Sequence, residues 1–243
     1  MRILILGDVH GNLEALQAVL RHAEGQEGFE AMWCLGDTVG YGPDPGPCLD
    51  LFAQYAPLNV AGNHDYGAVG MADLAAFNDN AAFACRWTAA QLSEAHKAYL
   101  KSLPPTLVHQ GFTMAHGSLR DPIWEYLVTR EAASATFQLL QTRRCLVSHS
   151  HVPFLCQETA RGPDFGLLRE GVSQEMPAQR LILNPGSVGQ PRDGDPRASY
   201  LLLNDATQSI TLHRVAYDIP ATQKKMAMAG LPEALIRRLA LGN

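Results

Sequence analysis

An apolar run near the start of the chain leads directly into two residue types that bind metals: Leu4-Ile5-Leu6-Gly7-Asp8-Val9-His10-Gly11-Asn12. The apolar residues are typical of a short buried strand. Asp8 and His10 follow where the strand ends, which is where open α/β sheets place their sites. Residues i and i+2 of an extended chain point to the same side, so we expect Asp8 and His10 to bind one cation together.

The same pattern recurs four times further along the chain. Each time, a predicted strand ends and carboxylate, imidazole or amide groups follow. One such loop is common in proteins, but five in a single chain are not expected of unrelated polar loops. The four later motifs are Gly36-Asp37, Gly62-Asn63-His64-Asp65, His116-Gly117-Ser118 and His149-Ser150-His151.

The composition is that of a folded protein with a sizeable core, because 47% of the 243 residues are apolar. The formal net charge of −5 disfavours long nucleic acid as a partner. A small anionic substrate is compatible with that charge, since a local metal centre outweighs a mildly acidic surface. No stretch approaches the ~20 apolar residues of a membrane span. The five cysteines form no C-x-x-C pair, which favours a reducing, cytoplasmic compartment.

Helical segments separate the first three predicted strands, which indicates βαβ units, and the second half of the chain is richer in strands. We predict one α/β domain over residues 1–243, with two packed sheets and helices outside. A loop or short hairpin is predicted over 158–180. The predicted strands are 3–6, 31–35, 57–61, 107–109, 112–115, 145–148, 152–157, 181–183, 199–204 and 209–215. The first predicted helix begins at Asn12. Further helices are predicted over 47–55, 68–102 in two or three pieces, 131–141, and 221–241 with a break near Gly230.

The side chains gathered in the five motifs offer nitrogen and oxygen ligands without thiolate. This ligand set suits manganese, iron, zinc or nickel. It also contains more ligands than one four-coordinate metal needs. The simplest arrangement is two divalent metals about 3.5–4 Å apart that share a carboxylate, as used for phosphoryl displacement. We take manganese as the favoured ion, with iron, zinc and nickel as alternatives.

In this order, the five motifs resemble those of the calcineurin-like metallophosphoesterases. The later stretch Asn184-Pro185-Gly186-Ser187-Val188-Gly189-Gln190-Pro191-Arg192 resembles the small prokaryotic phosphodiesterase branch of that family. The resemblance implies a four-layer α/β/β/α sandwich of two mixed sheets with flanking helices. It also implies that the metals lie at the strand ends.

The resemblance further implies a role for each residue of the motifs. His64 faces the substrate without binding metal, and Asp65 orients it. Seven residues are implied as ligands: Asp8, His10 and His151 for the first metal, Asn63, His116 and His149 for the second, and Asp37 as the bridge.

The sequence departs from the family pattern in two places. The final motif is usually Gly-His-Thr-His, and here Ser148 replaces the glycine, which is unfavourable if that position requires a positive φ. The protein serine/threonine phosphatases of the family carry an arginine shortly after the aspartate equivalent to Asp37. Its absence here argues against that branch. Arg120 and Arg192 are the candidate substrate contacts, since guanidinium groups suit phosphate.

Together these features predict a metal-dependent phosphodiesterase that hydrolyses small phosphate esters by attack of a metal-bridging hydroxide. His64 would stabilise or protonate the leaving group. The alternatives are a phosphomonoesterase or nucleotide pyrophosphatase on the same metals, and a non-catalytic scaffold with the phosphoesterase fold. The complete ligand set argues against the scaffold. The physiological substrate and the oligomeric state, including a homo-oligomer, stay open at this point.

Overall fold

Two sheets of six strands pack face to face, and helices cover their outer faces. The computed structural model describes residues 1–26 and 28–243. The strands are β1 (Arg2–Leu6), β2 (Ala31–Cys34), β3 (Leu58–Asn59), β4 (Thr106–His109), β5 (Phe112–Ala115), β6 (Arg144–Leu146), β7 (Pro153–Thr159), β8 (Gly162–Gly166), β9 (Ser173–Glu175), β10 (Leu181–Pro185), β11 (Ala198–Asn204) and β12 (Ser209–Val215). The α-helices are α1 (Leu13–Gln26), α2 (Pro45–Tyr55), α3 (Asn63–Ala68), α4 (Asp79–Gln91), α5 (Glu94–Ser102), α6 (Arg130–Leu139), α7 (Ile219–Met228) and α8 (Glu233–Arg238), and a 3₁₀ turn covers Leu74–Ala76.

Both sheets are mixed. The first has the order β3-β2-β1-β11-β12-β9, in which β1, β2 and β3 are parallel and the other pairings are antiparallel. The second has the order β4-β5-β6-β10-β7-β8, with β5, β6 and β10 parallel. The predicted four-layer α/β/β/α sandwich is therefore confirmed.

Side chains alternate along β1 between two hydrophobic layers. Ile3 and Ile5 lie in the core between the two sheets, while Leu4 and Leu6 pack in the layer that the first sheet shares with α1 and α2. All four are fully buried. A strand covered on both faces requires an apolar residue at every position, which is why this part of the sequence is a continuous apolar run.

The second sheet is built in the same way around β10. Leu181 and Leu183 face the core between the sheets, whereas Ile182 packs against Phe137 of α6 on the outer face. The ends of strands from both sheets are thereby held close together on one side of the sandwich. None of the helices in the described ranges is long and apolar enough to cross a membrane.

The predicted and observed elements differ most in two places. The third strand, predicted over 57–61, is limited to β3, which pairs with Trp33 and Cys34 of β2. The segment 158–180 contains the end of β7, then β8 and β9. β8 pairs with β7, which corresponds to the separately predicted strand 152–157, and β9 joins the edge of the other sheet beside β12, so the segment does not form a hairpin of its own. Short polar edge strands lack the apolar pattern on which such a prediction depends.

Candidate active site

Loops that follow four strands, together with the start of one helix, bring the predicted site residues to one place. Asp8 and His10 follow β1, and Asp37 follows β2. Two backbone hydrogen bonds join these loops: the Asp8 amide donates to the Gly36 carbonyl at 3.0 Å, and the His10 amide donates to the Asp37 carbonyl at 2.9 Å. On the second sheet the Ser148 amide donates to the His116 carbonyl. All nine predicted residues of the motifs are buried: Asp8, His10, Asp37, Asn63, His64, Asp65, His116, His149 and His151.

The backbone of these loops is left-handed and not extended. Five of the nine non-glycine residues with positive φ in the described ranges are predicted ligands, with φ between 50° and 64°: Asp8, His10, Asp37, His149 and His151. Asp8 and His10 were expected to point to the same side because the chain is extended there. The backbone is not extended at these residues, so that reason is wrong, although the two side chains do lie in one cluster. Such conformations are uncommon outside glycine and cluster at functional sites.

The first ligand group, which we define as Asp8, His10 and His151, converges on one point. Nε2 of His151 lies 3.4 Å from Oδ1 of Asp8 and 3.1 Å from Nε2 of His10. These three side chains form one of the clusters whose donor atoms are close enough to hold a metal ion.

The second ligand group, defined as Asn63, His116 and His149, lies beside the first. Nε2 of His116 is 3.0 Å from Nδ1 of His149 and 3.2 Å from Oδ1 of Asn63. Asp37 stands between the groups, because its Oδ2 is 3.3 Å from Nε2 of His116 and 3.7 Å from Nε2 of His10. Asp37, His116 and His149 form a second cluster suited to a metal.

In each of the four histidines of these groups, one ring nitrogen faces the other ligands and is called the inner nitrogen. The second ring nitrogen, called the outer nitrogen, lies beside a backbone carbonyl. A carbonyl only accepts, so each outer nitrogen carries the proton and each inner nitrogen presents a lone pair in the neutral ring. Two pairs of lone pairs then face each other at 3.1 and 3.0 Å, an arrangement that a cation stabilises. The four contacts are His10 Nδ1 to Val39 at 3.2 Å, His116 Nδ1 to Leu35 at 2.8 Å, His151 Nδ1 to Gln190 at 2.5 Å and His149 Nε2 to Trp124 at 3.1 Å.

Two carboxylate oxygens point into the same space without a hydrogen-bond partner among the described residues. They are Oδ1 of Asp8 and Oδ2 of Asp37, both fully buried. The other oxygens are occupied, since Asp37 Oδ1 accepts from the His64 amide at 2.8 Å and Asp8 Oδ2 accepts from the Ser148 hydroxyl. A buried carboxylate oxygen without a donor is costly, and a metal ion removes that cost. The residues present thus fit a metal centre.

Burial and neighbouring charges set the protonation of the site. Burial lowers the pKa of His10 and His151 well below the ordinary value and that of His149 to about 3, which favours the neutral, metal-binding form. His116 differs: burial lowers its pKa, but Asp37, Asp8 and the Leu35 carbonyl together raise the pKa to about 9, so a cation bound at its inner nitrogen must replace a proton. Asp37 therefore attracts a positive charge at the position between the two ligand groups.

Ser148 does not have the positive φ considered from the family pattern, since the left-handed residues of this loop are His149 and His151. Its hydroxyl instead donates to Oδ2 of Asp8. The side chain fills the space beside Gly7, where an added Cβ would lie 2.3 Å from the Ser148 Oγ. The replacement of glycine by serine thus adds a hydrogen bond to a predicted ligand.

The structure corrects the predicted role of Asp65. Its carboxylate accepts from the backbone N–H groups of Val39 and Gly62, at 3.2 and 3.0 Å, and so fixes the two loops. The ring nitrogen Nδ1 of His64 lies instead 3.3 Å from Sγ of Cys85 on α4. Cys85 has no metal-binding context in the sequence, so sequence reasoning missed it.

A cavity of about 260 Å³ opens beside both ligand groups, and Asp37, Asn63, His64, His149 and His151 line it. Among the described residues, Arg192 also lines this cavity and Arg120 does not. The Arg120 side chain is held by Glu125 and Glu131. The sequence missed four further lining residues, the aromatic side chains Tyr41, Phe77, Trp124 and Tyr126.

A sandwich of two mixed sheets, with a buried cluster of histidines and carboxylates at its strand ends, has the arrangement of a metallophosphoesterase. The model of the calcineurin-like phosphoesterase superfamily domain matches residues 1–208, and the chain belongs to this metal-dependent family of hydrolases.

Comparison with individual proteins agrees with this assignment. The crystal structure of a metallophosphoesterase from Sphaerobacter thermophilus is 43% identical, covers 100% of this chain and 99% of its own, and superimposes with a TM-score of 0.91. An uncharacterized protein of Methanocaldococcus jannaschii is 37% identical over 99% of this chain and 98% of its own length. A symmetrical bis(5'-nucleosyl)-tetraphosphatase of Vibrio cholerae is 28% identical over 57% of this chain, which is about half of that protein at 52%.

Proposed function

We propose that this protein is a dinuclear metal-dependent phosphodiesterase acting on small phosphodiesters. The observation that carries the proposal is the placement of the four histidines: each has one ring nitrogen beside a backbone carbonyl, and their other ring nitrogens face one another beside two carboxylate oxygens that have no partner among the described residues. The first ligand group would hold one cation and the second ligand group the other. Asp37 would bridge them. We take manganese as the favoured ion, because nitrogen-rich sites suit transition metals.

The roles of the side chains follow from their positions. When bound, the two cations supply positive charge against the phosphate oxygens and acidify a water molecule. Arg192 lines the cavity and donates to the phosphate. His64 lines the cavity too, and burial lowers its pKa to about 4, so its ring is neutral. It donates one hydrogen bond to the leaving oxygen, where negative charge develops.

A diester carries an organic group on each side of phosphorus, and the cavity offers space and apolar surface for the second group. This favours a diester over a monoester. The buried thiols of the five free cysteines fit a reducing compartment, so we place the protein in the cytoplasm.

His64→Ala tests both the reaction and the role of this residue. The variant should keep both metals and lose about 10²-fold in kcat on an alkyl diester, the usual cost of removing one such donor. Because a p-nitrophenolate leaving group needs little stabilisation, the loss on an aryl ester should be clearly smaller. Metal loss in the variant would make His64 a ligand. Faster hydrolysis of monoesters than of matched diesters by the unaltered protein would overturn the diester assignment.

The similarity to a bis(5'-nucleosyl)-tetraphosphatase favours a second candidate, the hydrolysis of a phosphoanhydride between nucleosides. The same ligand groups would serve that reaction. Incubating the manganese-loaded protein with a bis(5'-nucleosyl) tetraphosphate and with an alkyl diester separates the candidates by their relative kcat/KM. If the protein hydrolyses no phosphate ester, the alternative of a non-catalytic scaffold with the phosphoesterase fold would be favoured.

A further inference from the structure

We propose that one side of the cavity binds the base of a nucleoside phosphodiester. The inference rests on the proposed function and names its substrate class. It concerns three aromatic residues, Phe77, Trp124 and Tyr126, which we call the aromatic wall. All three line the cavity beside the ligand groups.

Ring contacts hold the members of the aromatic wall in place. The centroids of Phe77 and Trp124 are 4.9 Å apart with the rings nearly perpendicular at 71°. Tyr126 stacks on His149 with centroids 3.9 Å apart and an angle of 7°. Tyr126 nevertheless remains 46% exposed, which is high for a large aromatic side chain beside a buried site. Aromatic surfaces left open in this way are what flat bases stack on.

The loop that carries Trp124 and Tyr126 is rigidly held. Arg120 pairs with Glu125, whose carbonyl also accepts from the Ser118 amide at 3.0 Å. The Trp124 carbonyl accepts from His149, which ties the loop to the second ligand group. Leu127, 1% exposed, anchors the loop in the core. A surface ordered before binding loses less entropy when a ligand arrives. Arg120, predicted as a substrate contact, thus acts on this loop.

The guanidinium group that lines the cavity belongs to Arg192, which lies beside the first ligand group. The Arg192 amide donates to the His151 carbonyl of the first ligand group, and its guanidinium lies 5.9 Å from the ring of Tyr41. The Nε of Arg192 is buried and has no hydrogen-bond partner among the described residues. The cavity therefore offers a guanidinium group beside the first ligand group and the stacked Tyr126 beside the second. A phosphate with a planar base on one side matches this arrangement.

The size of the cavity supports a substrate larger than a phosphate group. Its volume of about 260 Å³ corresponds to several molecules of water at roughly 30 Å³ each. A phosphate bound at the ligand groups leaves room for a further group, and the apolar rings favour a flat, aromatic one over a sugar alone.

Binding of two product analogues to the manganese-loaded protein tests the inference without depending on turnover. AMP and ribose 5-phosphate share the phosphate and ribose, and only AMP has a base. Calorimetry should give a Kd for AMP about 10-fold lower or more, as expected for one stacked base. In Trp124→Ala the ratio of the two constants should fall towards one. Val128→Ala, at an exposed position in the same region and outside the cavity lining, should keep the ratio of the unaltered protein.

The possible failures are distinguishable. Metal content and the thermal midpoint of Trp124→Ala show whether it folds, and Phe77→Ala, which lies outside the loop, gives an independent reading. Equal constants for AMP and ribose 5-phosphate in the unaltered protein would overturn the inference. A ratio unchanged in both folded variants would do the same. Failure to hydrolyse any diester while the preference for AMP persists would instead overturn the proposed function.

Discussion

The thiol of Cys85 lies 3.3 Å from Nδ1 of His64 inside the protein. Burial raises the pKa of Cys85 to about 12, so the thiol keeps its proton and can donate it in a hydrogen bond. Nδ1 of His64 is then an acceptor, and the ring proton resides on Nε2. The four histidines of the ligand groups have outer nitrogens that donate to carbonyls, which makes their inner nitrogens acceptors. In His64 the nitrogen that Cys85 does not contact therefore carries the proton, which suits a hydrogen-bond donor.

Replacing Cys85 should therefore change the behaviour of His64 without changing the metals. We expect Cys85→Ala to lower kcat on an alkyl diester roughly 10-fold, in the range seen when a residue that orients an active-site imidazole is removed. Cys85→Ser keeps a hydroxyl donor and should retain most of the activity. The measurements are kcat for both variants and the ¹⁵N NMR shifts of the His64 ring.

The NMR measurement separates this role from simple packing. Nδ1 of His64 should appear unprotonated in the unaltered protein and in Cys85→Ser, and as a tautomer mixture in Cys85→Ala. If alanine and serine lower kcat equally while the ring shifts stay the same, Cys85 only fills space.

Removal of metal should destabilise the fold, because it leaves the Asp8 and Asp37 oxygens buried without partners. At free metal about 1,000-fold above Kd, binding contributes about 4 kcal/mol, so a chelator should lower the thermal midpoint by several degrees for a protein of this size. Adding MnCl₂ should restore it, and MgCl₂ less well, since magnesium prefers oxygen ligands. A thermal midpoint that is the same with and without metal, verified by elemental analysis, would contradict a metal centre.

Asp37→Asn should harm the protein more than the loss of any other single ligand. Oδ2 of Asp37 approaches both ligand groups. Although burial raises the pKa of Asp37, the charge and hydrogen bond of His116 hold it below its usual range, so the carboxylate is charged. An amide supplies no negative charge to two cations. Elemental analysis should show both metals lost in this variant and only one in Asp8→Asn. Asp50→Asn, at an exposed carboxylate, is the matched control. Retention of two metals in Asp37→Asn would show that Asp37 is not the bridge.

The positions of the site residues could be predicted from sequence because apolar runs end where the site begins. Ile3 and Ile5 alternate with Leu4 and Leu6 between two cores, which makes β1 recognisable, and Asp8 follows it directly. The local geometry could not be predicted in this way. The left-handed backbone of Asp8 depends on bonds to Gly36 of the neighbouring loop, and those contacts exist only once the sheet has formed.

The roles of side chains that contact distant segments of the chain could likewise not be predicted from the sequence. Asp65 follows His64 directly, so their pairing was a natural prediction, yet its oxygens bind the Gly62 and Val39 amides. The partner of His64 comes from α4, where Cys85 is one of several buried small residues. The loop that carries Trp124 has no periodic pattern, so nothing in the sequence separated its aromatic residues from ordinary surface residues.

The contact between Gly7 and Ser148 gives a prediction in which a second substitution corrects the first. A Cβ on Gly7 would lie 2.3 Å from Ser148 Oγ and 3.0 Å from Ser148 Cβ, so Gly7→Ala must displace the hydroxyl that donates to Asp8. We expect a loss of about 1–3 kcal/mol in the free energy of unfolding, as for other overpacked sites, together with weaker metal binding. Ser148→Gly removes both obstructing atoms, so the double variant should be more stable than Gly7→Ala alone.

Gly25→Ala, in α1 with no neighbour within 4 Å, is the control for the substitution itself and should not destabilise the protein. Chemical denaturation of the unaltered protein, Gly7→Ala, Ser148→Gly and the double variant measures the coupling free energy between the two positions, which should be at least about 0.5 kcal/mol. Strictly additive effects would mean that Ser148 does not set the space available beside Gly7.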